Sequence, residues 1–125
     1  MTWYKIKIRP ADKEMSTYIR LRDGGVCQYK FKCFGAQGTD CSHFQKRRKE
    51  SVRFDPENCD LACRKCHYFV ENDPIGQKTL EEWKLKQLGQ KRYNALLIRA
   101  NMTQRKDDKM ARLQIKALMQ ELNGK

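Results

Sequence analysis

The sequence predicts an α+β protein in which a small, cysteine-stapled centre is flanked by α-helices, and three observations predict it. All six cysteines fall between residues 27 and 66. That stretch is broken by glycines and by Asp-Pro and Pro-Glu-Asn turns, so it has room only for short strands. The residues on both sides carry apolar side chains at helical spacing. With 39% hydrophobic and 34% charged residues in 125 positions, the chain can build a core, but a thin one, and small cores usually need a staple.

In chain order, Trp3 to Ile8 alternate enough to form a short strand. Pro10 and Asp12 fit a helix start, with Pro in the first turn and an acid at the positive end of the helix dipole. Met15, Tyr18, Ile19 and Leu21 carry that helix to Asp23, and Gly24 and Gly25 stop it. Two strands are expected near residues 40–45 and 51–54, then a helix from about Leu61 to Glu71 that Asn72, Asp73 and Pro74 close. Thr79 to Glu82 read as a capping box, T-x-x-E, opening a further helix that Gly89 ends. Another helix runs from about Lys91 to Asn101 on a stripe of Tyr93, Leu96, Leu97 and Ala100. The last runs from about Asp107 to Leu122 and is expected to bury Met110, Leu113, Ala117 and Leu118. Its apolar side is narrow and has no evident core to cover, which makes Met110, Leu113 and Ala117 a candidate homodimer face.

The cysteines read as metal ligands more readily than as disulfides. The N-terminal MTWYKIKIRPADKE has no apolar leader core, and no apolar run reaches the roughly 18 residues a membrane span needs. A cytoplasmic location without a membrane partner is therefore expected, and thiols stay reduced there. Cys27-x5-Cys33 and Cys63-x2-Cys66 are two pairs, the usual way of gathering four soft ligands around a tetrahedral structural Zn²⁺. Cys41 is an alternative member of that quartet. Cys59 reads as a small buried apolar residue. The 27 basic against 15 acidic side chains, a net charge of +12, point to a polyanionic partner, above all nucleic acid.

His43 in DCSHF, Asn58 in DPENCD and His67 directly after Cys66 occur in the order His, Asn, His. This resembles the HNH endonucleases, whose ββα-metal (His-Me finger) motif sets the first His on a strand, the Asn in the turn and the last His on the helix. The sequence is closer still to phage-encoded recombination nucleases of the NinG type. The residues that carry this are Tyr18 to Asp23, Cys41 to Arg48, Val52 to Asn58, Cys63 to His67 and Glu71 to Pro74, spread over roughly residues 10–102.

The resemblance implies a zinc-stapled ββα-metal core and hydrolysis of DNA phosphodiesters, with branched or Holliday-type DNA as substrate. It implies His43 as general base, since an imidazole titrates near working pH. Asn58 would pin the turn and orient that base. His67 would hold one catalytic divalent cation, Mg²⁺ or Mn²⁺. Many HNH proteins place an acid or a second His just before the first His, and Ser42 stands there instead. Water, Asp40, Asp60 or His43 itself could fill the vacancy, and His43 could then be a ligand in place of the base. Either histidine could also complete the zinc site. The basic run of Lys46, Arg47, Arg48 and Lys49, with Arg53, is suited to phosphate contact, and Lys84, Lys86, Lys91, Arg92, Arg99 and Arg105 could extend it.

The expected organisation is residues 1–26 as a strand and helix packed on the core, 27–76 as the zinc-bound HNH core, and 77–125 as a helical extension. The expected function is a metal-dependent DNA endonuclease, phage- or prophage-encoded, acting in the host cytoplasm or nucleoid. Its rivals are a non-catalytic zinc-containing DNA-binding protein on the same scaffold and an adaptor working through the last helix.

Overall fold

A computed structural model describes residues 7–103 and 107–124. Its described elements are α1 (Pro10–Arg22), β1 (Asp40–His43), β2 (Cys59–Ala62), α2 (Arg64–Asn72), α3 (Pro74–Leu88), α4 (Gln90–Ala100) and α5 (Asp108–Asn123), with short 3₁₀ turns at Glu50–Val52 and Pro56–Asn58 between the strands. The class is α+β. The strand expected at residues 3–8 lies outside the described residues except for Lys7 and Ile8, which have no regular structure.

Helix α1 begins where proline and the acid place it. The Asp12 carboxylate accepts the Arg9 backbone N–H at 2.7 Å, occupying a donor that a helix start leaves free. Its end is set by Gly24 and Gly25, both with positive φ. That backbone lets the Gly25 N–H turn back to the Arg20 carbonyl at 3.0 Å.

β1 and β2 pair antiparallel, with Cys41 opposite Leu61 and His43 opposite Cys59. The second strand expected at residues 51–54 is instead a 3₁₀ helix running into a turn. Val52 and Phe54 enter two different cores, and Arg53 between them is buried in an ion pair with Asp12, so the alternation there serves no sheet. The true β2 takes Leu61 and Ala62 from the expected helix, which begins at Arg64. The outer edge of β2 is covered without a third strand. Asp23 accepts the Leu61 N–H at 3.0 Å, the Leu61 carbonyl accepts from Gln28 at 2.8 Å, and Arg22 donates to the Cys59 carbonyl at 2.7 Å.

The sheet divides two apolar clusters. On one side lie Cys27, Tyr29, Phe44, Ala62, Cys63, Cys66 and Val70 with Leu80, Leu88, Leu96 and Ala100 of α3 and α4. On the other, Cys59 and Leu61 pack with Met15, Tyr18 and Ile19 of α1 and with Ala111 and Ile115 of α5. The last helix therefore does cover a core. Its buried line is Ala111 and Ile115, continued by Leu118, Met119 and Leu122. Met110, Leu113 and Ala117 point outward, because α1 lies one helical position away from the face that apolar content alone suggests.

Helix α3 starts at Pro74, not at Thr79. Asp73 caps it by accepting the Ile75 N–H at 2.9 Å, and Thr79 lies inside it, its hydroxyl donating to the Ile75 carbonyl. The division expected at residues 76 and 77 thus falls within one helix. α2 and α3 meet so closely at Gly76 that an added Cβ would lie 2.1 Å from the Phe69 carbonyl oxygen.

β2 tolerates a buried acid because α3 supplies its partner. Lys84 and Asp60, each 1% exposed, pair at 2.6 Å, and Gln87 donates to the second Asp60 oxygen at 3.0 Å. Replacing Lys84 with alanine leaves the buried carboxylate only the more distant Arg22, at 3.5 Å, and should destabilise the fold by about 3 kcal/mol. Removing both charges, with Lys84→Met and Asp60→Asn together, should recover most of that loss. Urea denaturation of the wild type and the two variants measures it; a double variant no more stable than Lys84→Ala would refute the pairing.

Candidate functional site

Cys27, Cys33, Cys63 and Cys66 come together with their sulfur atoms all within 4.8 Å of one another. Cys27 and Cys33 sit at the ends of a tight loop whose base is closed by the Cys27 N–H to the Ala36 carbonyl at 2.9 Å. Cys63 caps α2, and Cys66 is in its first turn. Backbone amides aim at the sulfurs: Lys32 N–H reaches Cys66 Sγ at 3.3 Å, and Cys66 N–H reaches Cys63 Sγ at 3.5 Å. The amides of Ala36 and Gly35 bring the Cys33 thiol down to about 6. Burial and the neighbouring thiols Cys63 and Cys27 push Cys66 up to about 12. Four thiolates this crowded ionise together only around a cation, so the cluster could hold a structural metal such as zinc.

Neither histidine belongs to this cluster. Cys41, the alternative quartet member, does not either; it lies on the sheet beside Cys59 and His43.

His43 ends β1 and is 8% exposed. Its Nε2 lies 3.0 Å from the Arg53 carbonyl oxygen. A carbonyl can only accept, so Nε2 carries the proton and Nδ1 keeps the lone pair. Burial, helped by the positive charge of Arg47, holds the ring down at about 4. The loop that supplies the Arg53 carbonyl is pinned by Asn58, which is fully buried. Its Oδ1 accepts the Gln45 N–H at 2.7 Å, and its Nδ2 donates to the carbonyls of Gln45 at 2.9 Å and Val52 at 3.1 Å. All three bonds cross the loop, so the amide does more than close an Asx turn.

His67, in the first turn of α2, is placed by two carboxylates. Its Nδ1 is 2.8 Å from Asp40 Oδ2 at the start of β1, and its Nε2 is 3.6 Å from Glu71 Oε1 one helical turn along. Glu71 and Asp40 together raise its pKa. The His67 ring, and after it Lys46, bring the Glu71 carboxyl down to about 2. Asp60, the other acid considered near the site, is turned onto Lys84. Asp40 is the acid that reaches His67.

Both imidazoles line one cavity of about 310 Å³, together with Cys41, Lys46, Arg47 and Glu71. A second, of about 240 Å³, shares His43, Lys46 and Glu71 with it and extends the wall to Arg48 and Lys49. A larger hollow of about 630 Å³ between α1 and α5 contains neither histidine nor cysteine, so the chemistry sits in the smaller ones. Arg48 and Lys49 are exposed and Arg47 is half-buried. Among the described residues Arg47 Nε has no hydrogen-bond partner; Asp12 approaches it at 3.8 Å.

Several expected cationic contacts are spent inside the protein. Arg53 is 3% exposed and donates to both Asp12 oxygens, at 2.9 and 2.6 Å, and to the Lys7 carbonyl. It braces the loop and cannot reach out to a phosphate. Lys84 is buried on Asp60. Arg99 is held by Asp55 and Glu57, and Arg92 by Glu57. Lys86 and Lys91 remain exposed, and Arg105 lies outside the described residues.

Glu71 is the site residue that single-residue reasoning passed over, although the spacing His67-x3-Glu71 puts both on one helix face. The pairing of Cys41 and Cys59 beside His43 was legible only once the strand register was known. Among the described residues no helix is long and apolar enough to cross a membrane. No family model, curated protein or solved structure matches this chain.

Proposed function

We propose that the protein is a metal-dependent endonuclease of the HNH kind, hydrolysing phosphodiester bonds in DNA. The observation that carries this reading is the shared cavity: a neutral imidazole and a carboxylate-oriented imidazole line the same cleft, walled by Lys46 and Arg47. The order β1, β2, α2, with His43 on the first, Asn58 leading into the second and His67 on the third, supports it too.

His43 works as the base. Its Nε2–H is engaged by the Arg53 carbonyl, which fixes the tautomer and leaves Nδ1 to take the proton of an attacking water. Asn58 and the Asp12–Arg53 pair hold that carbonyl in place. Asp40 orients His67 from behind, through Nδ1, so that Nε2 is presented for coordination, the familiar carboxylate–histidine arrangement of metal sites. Glu71 Oε1, 3.6 Å from Nε2, is spaced to share the same ion. A divalent cation such as Mg²⁺ or Mn²⁺ held there would supply Lewis acidity and stabilise the departing 3′ oxygen. Arg47, Arg48, Lys46 and Lys49 would grip flanking phosphates without reading base sequence. Recombination intermediates are the substrate class that the sequence resemblance suggests.

The test incubates plasmid and four-way-junction DNA with the protein and Mg²⁺ or Mn²⁺. Cleavage that needs the added ion and is lost in His67→Ala supports the reading. Binding without cleavage under every ion would leave the rival, a zinc-stapled DNA-binding module. In either case about four phosphate contacts give a slope near −3.6 of log K against log salt. An affinity independent of salt would remove DNA as the partner.

A further inference from the structure

The mechanism leaves Cys41 and Cys59, beside His43, unused. Cys41 and His43 are two residues apart on β1, so they share a face of the sheet, and His43 stands opposite Cys59 in the register. The two sulfurs and a ring nitrogen of His43 lie within 4.8 Å of one another. Sulfur and nitrogen ligands at about 2.3 and 2.0 Å from one tetrahedral ion fall inside that spacing.

We propose that Cys41, His43 and Cys59 form a second site, for a thiophilic divalent ion of the Zn²⁺ type, whose filling switches off hydrolysis. The inhibition rests on the nuclease reading above; the site itself does not. Hardness separates the two ions. Two thiolates and an imidazole select Zn²⁺, whereas Mg²⁺ and Mn²⁺ prefer the oxygen donor that Glu71 offers beside His67. On binding, the two thiols release their protons to solvent and the neutral imidazole gives its lone pair, with no change of oxidation state. Because Nε2 is committed to the Arg53 carbonyl, Nδ1 carries the one lone pair the ring can offer. It can accept a proton from water or ligate the ion, and the two uses exclude each other. Cys41 and His43 border the 310 Å³ cavity, which gives an entering ion its path and leaves its fourth position for water.

The experiment uses the full chain, kept reduced and carrying its first equivalent of zinc, titrated with Zn²⁺ in excess Mn²⁺. A second equivalent should bind, and cleavage should fall by about a hundredfold or more, the scale of losing a general base. A chelator too weak to strip four thiolates should restore it. Co²⁺ in the second site should show thiolate charge-transfer absorption. Cys59→Ala should keep the first equivalent and Mn²⁺-dependent cleavage while losing the second equivalent and the inhibition. Cys41→Ala, at the less buried position, checks the same loss of the second ion should Cys59→Ala misfold. Wild-type protein that stops at one equivalent, or a Cys41→Ala variant that still takes two, overturns the site. A chain that cuts no DNA yet binds the second ion through these cysteines refutes the nuclease reading and the inhibition with it, while upholding the site.

Discussion

Cys66→Ser is expected to leave the protein without a folded core at 25 °C, and a strong chelator should do the same to the wild type. Cys27, Cys63 and Cys66 are part of the larger apolar cluster, so the ion they would hold and the packing of α2, α3 and α4 form and fail together. A structural zinc site is worth about 10–16 kcal/mol in apparent binding free energy, against a total stability of about 5–15 kcal/mol for a domain. The thiols that remain, buried and mutually repelling once ionised, give nothing back. Circular dichroism before and after chelation measures the effect. Unchanged helicity and an unchanged melting curve would mean that the four cysteines hold no ion that matters to the fold.

His43→Ala should lower DNA cleavage by about 10²- to 10⁴-fold while DNA binding stays near wild type, the signature of losing a general base. The wild-type pH profile should follow from the two histidines having opposite shifts. A base must be unprotonated, and burial keeps His43 at about 4. At saturating metal the cleavage rate should therefore hold steady as pH falls through 6.5, the ordinary histidine value, and drop only near 4. His67 shifts the other way, upward, because Glu71 and Asp40 favour its proton. That proton must leave before an ion binds Nε2, so the metal concentration needed for half-maximal rate should rise as pH falls through the raised value. A rate at saturating metal that instead titrates near 6.5 would remove His43 as the base.

Much of this molecule is written locally. Pro10, Asp12 and the Gly24-Gly25 pair bound α1 as they should, because capping depends on neighbours within one turn. The four cysteines named as a metal set from spacing alone do converge, since each pair is closed by a short loop or a single helical turn. The second strand was misplaced for a reason that is equally physical. Val52, Arg53 and Phe54 alternate like a strand, but the alternation comes from a segment passing between two cores. Asp60, a poor strand former, sits in the real strand because Lys84, far along the chain, neutralises it.

Composition and spacing alone determined an α+β, strongly basic chain with four cysteines that could clasp a metal, and picked out its two histidines. Only the tertiary structure decided which of its cations are free. It buried Arg53 and Lys84, left Arg48 and Lys49 outside, brought Asp40 to His67, and set Cys41 and Cys59 beside His43. Periodicity reports which face of an element is apolar, but it carries no information about which distant residue that face will meet. Such meetings are set by how the two cores pack across one short sheet, where burial compels every charge to find a partner.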